Sequence, residues 1–485
     1  MVPSVPVITV AAGPMPYICN VEMASTEVQF RYTRMKRIHF LCCAQFILWR
    51  RPYTRGKGSR CDTWSVKSPP SLPNMTVRNF PEPKRGKRRS LIKKVPKRRP
   101  AVDRLVYASV PYVRHGRPSQ TSRPELAKVS RSLEDLYTAN DDQIVRLLLK
   151  DRILQHKAGK TCPHCSKGKL GKLKKVKGRG LVYRCGKCKK FVLPQEGHLI
   201  LKKGFGPNST SLQKQSAALL FAVQNADQSL THRMTGLNHK TVADIFKAND
   251  QCRKVYVEEK EKDIKFGTDD PADEMWYDVE ADEVDLRSAL VDDYKKQPKD
   301  QRVKWEQWGG VQQRGSPKSL VMMRYNPKRT AVRAPGPGAI RTADWEPFAT
   351  KRLRNRQVCL HTDGAKGYCL KVEGMLHDHV VHQKKLLKDK KGRPIKRDGK
   401  NIWRKPVYTK FVRHKIPNGK VLKVKAGTQI IDRAWQHFRN FLKCRNCKVG
   451  STSLRTRIRS AQWVYWQRGQ DLWARTGEML EHLSK

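Results

Sequence analysis

Nine acidic residues fall between positions 269 and 285 of a chain whose formal net charge is +58. The densest part reads WYDVEADEVD, residues 276–285. Carboxylates packed this closely repel one another unless cations sit among them, either Lys/Arg or divalent metal. As a strand, the stretch turns Tyr277, Val279 and Ala281 toward a core and Asp278, Glu280 and Asp282 to the other side. Two readings follow. In one, acids hold metal ions in a protein whose Lys and Arg grip phosphates. In the other, a solvated acidic loop balances basic surface.

The 485 residues leave room for two to four domains. With 101 Lys+Arg against 43 Asp+Glu, the partner is polyanionic. The charge is spread along the chain, which favours nucleic acid over a membrane surface, and RNA binding is compatible with it too. Of 13 cysteines, four form a metal pattern and the rest are scattered, as in a reducing compartment. No apolar run reaches the ~18 residues of a spanning helix. The best, FLCCAQFILW at 40–49, is short, Arg-flanked and without a clear cleavage site. The expectation is a soluble chain.

Residues 1–130 show no sustained periodicity and read as mostly disordered and basic. Within them, KRGKRRSLIKKVPKRRP (84–100) is either a nuclear-import or DNA-tethering tract or a solvated charge run. Nuclear localisation is expected in a eukaryote, the nucleoid otherwise. Helical spacing starts after Ser132, with Ser132 and Asn140 or Asp141 as caps.

Cys162-Pro-His-Cys165 and Cys185-Gly-Lys-Cys188 are two C-x2-C pairs nineteen residues apart. That spacing is a four-thiolate zinc site, and 131–204 reads as a helical lead-in with a zinc ribbon. Over 205–262, a helix, a short helix, the turn Thr235-Gly236-Leu237 and a helix opening NHKTV have the form of a DNA-reading helix-turn-helix. His239, Lys240 and Thr241 would face the groove and Lys247 a phosphate. A plain helical connector is the alternative.

Further acids are needed, because one strand cannot build a catalytic metal site. Residues 304–325 read as two strands that join 276–285 in an antiparallel meander. Val358–Thr362 reads as a buried strand closing on Asp363-Gly364, although Asp-Gly is also a common turn. In GTQIIDRAWQHFRNFL (427–442), Asp432 lies outside the helical core stripe, with Arg439 seven residues on. Two strand acids plus a helix acid is the plan of a ribonuclease-H-like two-metal site. Residues 384–410 read as a basic hairpin insertion, in contact with DNA or simply solvated, and 449–485 as amphipathic helices packed on the preceding domain. Cys444 and Cys447 form another C-x2-C with no second pair after it.

In this order, ribbon, helix-turn-helix, VEADEVDL, HTDGAKGY and GTQIIDRAWQHFR resemble the zinc-ribbon insertion-sequence DDE transposases, over roughly 135–445. The resemblance implies a ribonuclease-H-like catalytic domain (263–448) in a multidomain α+β chain. It implies Asp282, Asp363 and Asp432 as catalytic acids holding two Mg2+ or Mn2+ ions about 4 Å apart, with Arg439 neutralising charge at phosphorus. It also implies structural Zn2+ at the four cysteines, double-stranded DNA as partner, and a homo-oligomer on DNA. A histidine before the third acid corresponds to His382, with His414 second. The family's Thr-Asn-x-x-Glu is here Thr428-Gln429-Ile430-Ile431-Asp432, and Asp is one methylene shorter than Glu. Hence two function classes are carried forward: a metal-dependent transposase, and a transposase-derived DNA-binding protein that has lost cleavage. A basic RNA-binding protein is a third, without an aromatic RNP-like strand to support it.

Overall fold

The acidic stretch is part of one long strand, Tyr277–Leu290, in the middle of the largest sheet. The structure is a computed structural model that describes residues 130–484 apart from 203–209, 271–274, 383, 390–391, 418 and 444. The tract at 84–100, the rest of the N-terminal segment, Cys444, and Asp273 and Glu274 of the acidic run therefore lie outside the described residues. What is described mixes helices with several sheets. None of its helices is long and apolar enough to cross a membrane.

Helices α1 (Leu133–Tyr137) and α2 (Asp141–Lys150) each begin with a reciprocal capping box, Ser132 with Asp135 and Asn140 with Gln143. Strands β1 (Lys174–Val176), β2 (Gly180–Arg184) and β3 (Phe191–Val192) form a small antiparallel sheet. Helices α3 (Leu212–Val223), α4 (Gln228–Thr235) and α5 (His239–Lys260) follow. Helix α4 stops at Gly236, whose φ of 63° is left-handed, and the Asn238 side chain then caps α5.

The main sheet contains β4 (Tyr277–Leu290), β5 (Val303–Gln313), β6 (Val321–Arg324) and β7 (Arg329–Thr330). After α6 (Thr342–Arg352) it is completed by β8 (Val358–Thr362) and β9 (Met375–His379). Its order is β6-β5-β4-β8-β9, with β7 on β5. Neighbours are antiparallel on the β5 side of β4 and parallel on the β8 side. The basic segment folds as short pairs: β10 (Lys385–Leu386) with β13 (Trp403–Arg404), and β11 (Lys396–Arg397) with β12 (Lys400–Asn401). The longer hairpin of β14 (Lys410–Lys415) and β15 (Val421–Ala426) follows. Helices α7 (Gln429–Lys443), α8 (Thr452–Trp466) and α9 (Leu472–Leu483) end the chain.

The sheet buries both faces. Val279, Ala281, Val311 and Leu360 pack with Trp345 and Ala349 of α6 and with Leu353 just after it. On the other face Val284, Trp308 and Met322 meet Ile431, Trp435 and Phe438 of α7. That second core continues without a break through α8 and α9 and into α1–α3 and α5. Within the tail, Trp466 Nε1 donates to Leu320 O and Tyr465 Oη to Gln312 Oε1, so its aromatics pack onto the sheet. Helices α5 and α8 also share a buried charge cluster. Asp250 accepts from Arg457 Nη1 at 3.1 Å, from Ser460 Oγ at 2.6 Å and from Arg445 Nη2. The fully buried Arg253 lies over the Trp463 ring at 4.4 Å.

Candidate metal centres

The first centre is built from two tight turns. Backbone N–H groups of His164 and Lys187 donate to Cys162 Sγ and Cys185 Sγ. Backbone N–H groups at 167 and 168 draw the Cys165 thiol down to about 6. Cys162 Sγ lies 3.7 Å from Cys188 Sγ, and Cys165 Sγ 3.8 Å from Cys185 Sγ. A tetrahedral ion with Zn–S bonds of 2.3 Å requires sulfurs about 3.8 Å apart. All four sulfurs fall within 4.8 Å of one another, so the set has the geometry to hold zinc. A Cβ on Gly168 would come 2.6 Å from Cys185 Sγ, so the turn admits no side chain there.

The second centre is set by strand register. Strand β8 runs parallel to β4, with Glu280 opposite His361, and stops at Thr362. The next residue, Asp363, therefore comes abreast of Asp282 and Glu283 where β4 continues alone on that side. Carboxylate oxygens of Asp282, Glu283 and Asp363 lie within 4.8 Å of one another, close enough to bind a metal ion together. Asp282 Oδ2 accepts from Trp435 Nε1 at 3.0 Å. Glu283 accepts from Tyr368 Oη at 2.7 Å, and Asp363 Oδ1 from the Ala365 N–H at 2.8 Å. Burial, then the charges of Glu283, Asp432 and Asp363, push Asp282 well above the usual carboxylate range. Burial also raises Glu283. A group of acids that resists simultaneous ionisation is what a cation would relieve.

Of the acids expected from sequence, Asp282 and Asp363 belong to this group and Asp432 lies beside it. Asp432 opens to solvent on α7, bonds Thr428 Oγ1 at 3.3 Å, and is raised mainly by burial on its inner side. Arg439 is exposed and close enough to act electrostatically on Asp432 and Asp285. Glu283 is the member of this group that sequence reasoning did not assign; its place next to Asp282 was its sequence signal.

Asp278 and Glu280 share Asp282's side of the strand but are buried and neutralised. His361 donates to Asp278 at 2.8 Å and to Asp378 at 2.7 Å, and His414 bonds Asp378 at 3.0 Å. Glu280 Oε1 accepts from Arg314 Nε at 2.8 Å, and Oε2 accepts the Ile430 and Ile431 N–H groups at 2.7 and 3.0 Å. Arg314 also donates to Lys425 O and Gly427 O. Glu280 is thus a remote anionic cap on the N-terminus of α7, the helix that carries Asp432. His382 Nε2 lies 3.4 Å from Thr428 Oγ1, on the Asp432 side, whereas His414 is engaged with Asp378.

Two glycines leave room for the rings packed on β5 here, Gly310 for Trp435 of α7 and Gly309 for Tyr325. Gly309 and Gly310 on β5 stand opposite Glu283 and Asp282. A Cβ on Gly310 would fall 2.3 Å from the Trp435 ring, and one on Gly309 2.0 Å from Tyr325 Oη.

Away from the acids, His239 and Lys240 are exposed in the first turn of α5, Thr241 is half-buried, and Lys247 is exposed two turns on. No family model, curated protein or solved structure matches the chain.

Proposed function

We propose that this chain is a transposase-like enzyme that binds DNA and carries out metal-dependent strand cleavage and transfer. The observation that carries the reading is the convergence of Asp282, Glu283 and Asp363, from two parallel strands, on one point beside Asp432. A sheet antiparallel on one side of β4 and parallel on the other, with a helical acid packed across it, supports the ribonuclease-H-like plan. The excess of Lys and Arg supports a polyanionic substrate. The four cysteines with β1–β3 support a zinc ribbon, and α4, the Gly236 turn and α5 support a helix-turn-helix.

Divalent ions held by Asp282, Glu283 and Asp363, with Asp432 within reach of the same space, would supply Lewis acidity toward a phosphodiester. The chain's own part is positional. Trp435 and Tyr368 fix the rotamers of Asp282 and Glu283, and the Ala365 N–H fixes Asp363. Arg439 offers a cation at the rim, where negative charge builds at phosphorus. His239, Lys240, Thr241 and Lys247 would hold the DNA.

The test is nicking of supercoiled plasmid by the full chain with Mg2+ or Mn2+. Nicking is expected with the native chain and none with Asp363→Ala. One observation favours a second reading, a DNA-binding protein without cleavage: Asp432 stands outside the tight three-carboxylate group. Salt-dependent DNA binding with no nicking in either metal would establish that reading.

Glu280 is a positioning residue within the same proposal. Misplacing a reacting group by about 1 Å costs on the order of 100-fold in rate. Glu280→Gln, which halves its hold on Arg314 and the α7 cap, is expected to slow nicking about that much. Equal rates for Glu280→Gln and native protein would remove Glu280 from the site.

A further inference from the structure

The basic segment between β9 and α7 carries aromatic side chains in places where folding does not require them. Over 384–425 there are seventeen Lys and Arg against two acids, Asp389 and Asp398. Within this field Trp403, Tyr408 and Phe411 are 52%, 55% and 71% exposed. The β14–β15 hairpin shows the contrast between its faces. Its inner face, with Leu422 and Val424, packs on Trp276 and Cys359. Its outer face pairs Phe411 with Lys425 and Arg413 with Lys423, and the Lys423 ammonium lies 5.3 Å from the Phe411 ring centroid. Trp403, Lys384, Arg404 and Lys405 border an open cavity of about 340 Å3.

One of these rings, Tyr408, connects to the acids. Tyr408 packs against His382 in a tilted arrangement, with centroids 5.2 Å apart and planes at 36°, and His382 in turn meets Thr428, the hydrogen-bond partner of Asp432. Exposed aromatics interleaved with cations suit one ligand chemistry: bases that are not paired, with their faces free to stack and their phosphates held by Lys and Arg. In an intact duplex those faces are hidden, and basic side chains alone would serve.

We propose that the 384–425 segment is a stacking surface for unpaired nucleotides of the DNA strand whose phosphodiester reaches Asp282, Glu283 and Asp363. The proposal rests on the reading of that site as one that cleaves DNA. It adds that the strand is unpaired beside the reacting bond, with Trp403 and Phe411 as the stacking rings.

The test uses the full chain without added magnesium and two probes of equal length, a blunt duplex and a duplex with a single-stranded extension carrying 2-aminopurine. Tighter binding of the extended probe is expected, with quenched fluorescence. Trp403→Ala and Phe411→Ala should each weaken binding of the extended probe about 10-fold, within the range of base–aromatic stacking, and leave the blunt probe unchanged. Trp403→Phe and Phe411→Tyr should restore it. Equal affinity for the two probes, or alanine variants that bind the extension as the native chain does, would overturn the proposal. Tighter binding of an RNA strand of the same sequence would overturn its assignment to DNA. The two readings fail separately: a preference for the extended probe without plasmid nicking removes cleavage alone. Nicking by the native chain, with alanine variants that still bind the extension, removes the stacking surface alone.

Discussion

Stripping metal from the full chain with a zinc chelator is expected to unfold the 160–193 segment while the main sheet survives. The segment's own core cluster holds Leu170, Tyr183 and Val192 besides Cys162 and Cys185, while Leu181 packs on the helical core. Fully burying such a side chain yields about 1.5–3 kcal/mol, far too little against the entropy of ordering a segment this long. Structural zinc contributes on the order of 10–16 kcal/mol in small finger peptides, so its loss should be decisive locally. The readout is thiol reactivity. Cys162 and Cys185, each 1% exposed, should resist labelling in the metal-loaded chain and react quickly once it is chelated. Cys185→Ser should reproduce the chelated state. Thiols that stay protected in metal-free protein would dismiss the zinc assignment.

Asp250→Ala is expected to cost about 3–5 kcal/mol, the range for breaking a buried ion pair on one side. Asp250 is the carboxylate bonded to Arg457 and Arg445, and its charge also acts on Arg253. Burial draws Arg253 down to about 9 even with that carboxylate present. Without it, neighbouring cations face one another in a water-poor core. The loss should appear as a lower urea midpoint for the helical region, with zinc binding at the four cysteines near that of the native chain. A cost below about 1 kcal/mol would mean that water or a neighbouring group takes over Asp250's part.

Sequence reveals local signals well and remote ones poorly, and this chain illustrates why. The caps at Ser132 and Asn140, the Gly236 turn and the strand ending at Asp363 each depend on a few neighbouring residues, and each could be read directly. Asp278 and Glu280 were another matter. Alternation puts them on Asp282's side of the strand, but nothing nearby reveals that Arg314 and His361 neutralise them. The part of Glu283 depends on where β8 stops, a matter of register between segments some eighty residues apart. Gly309 and Gly310 gave no signal at all. Their meaning lies in rings from elsewhere in the chain, Trp435 on α7 for Gly310 and Tyr325 for Gly309. Nor does periodicity reveal that the helices of 131–262 and 449–485 share one core with the sheet, because it marks an apolar stripe and not what covers it.

That shared core has a geometric consequence. Helix α5 is bolted through α8 to the same layer that carries α7. On the proposed function, a double helix lying along α5 and a bond seated at the carboxylates would be held at a fixed separation. The scaffold would then act as a ruler, so that the distance from the sequence read to the phosphate attacked is measured by protein and not by a flexible tether.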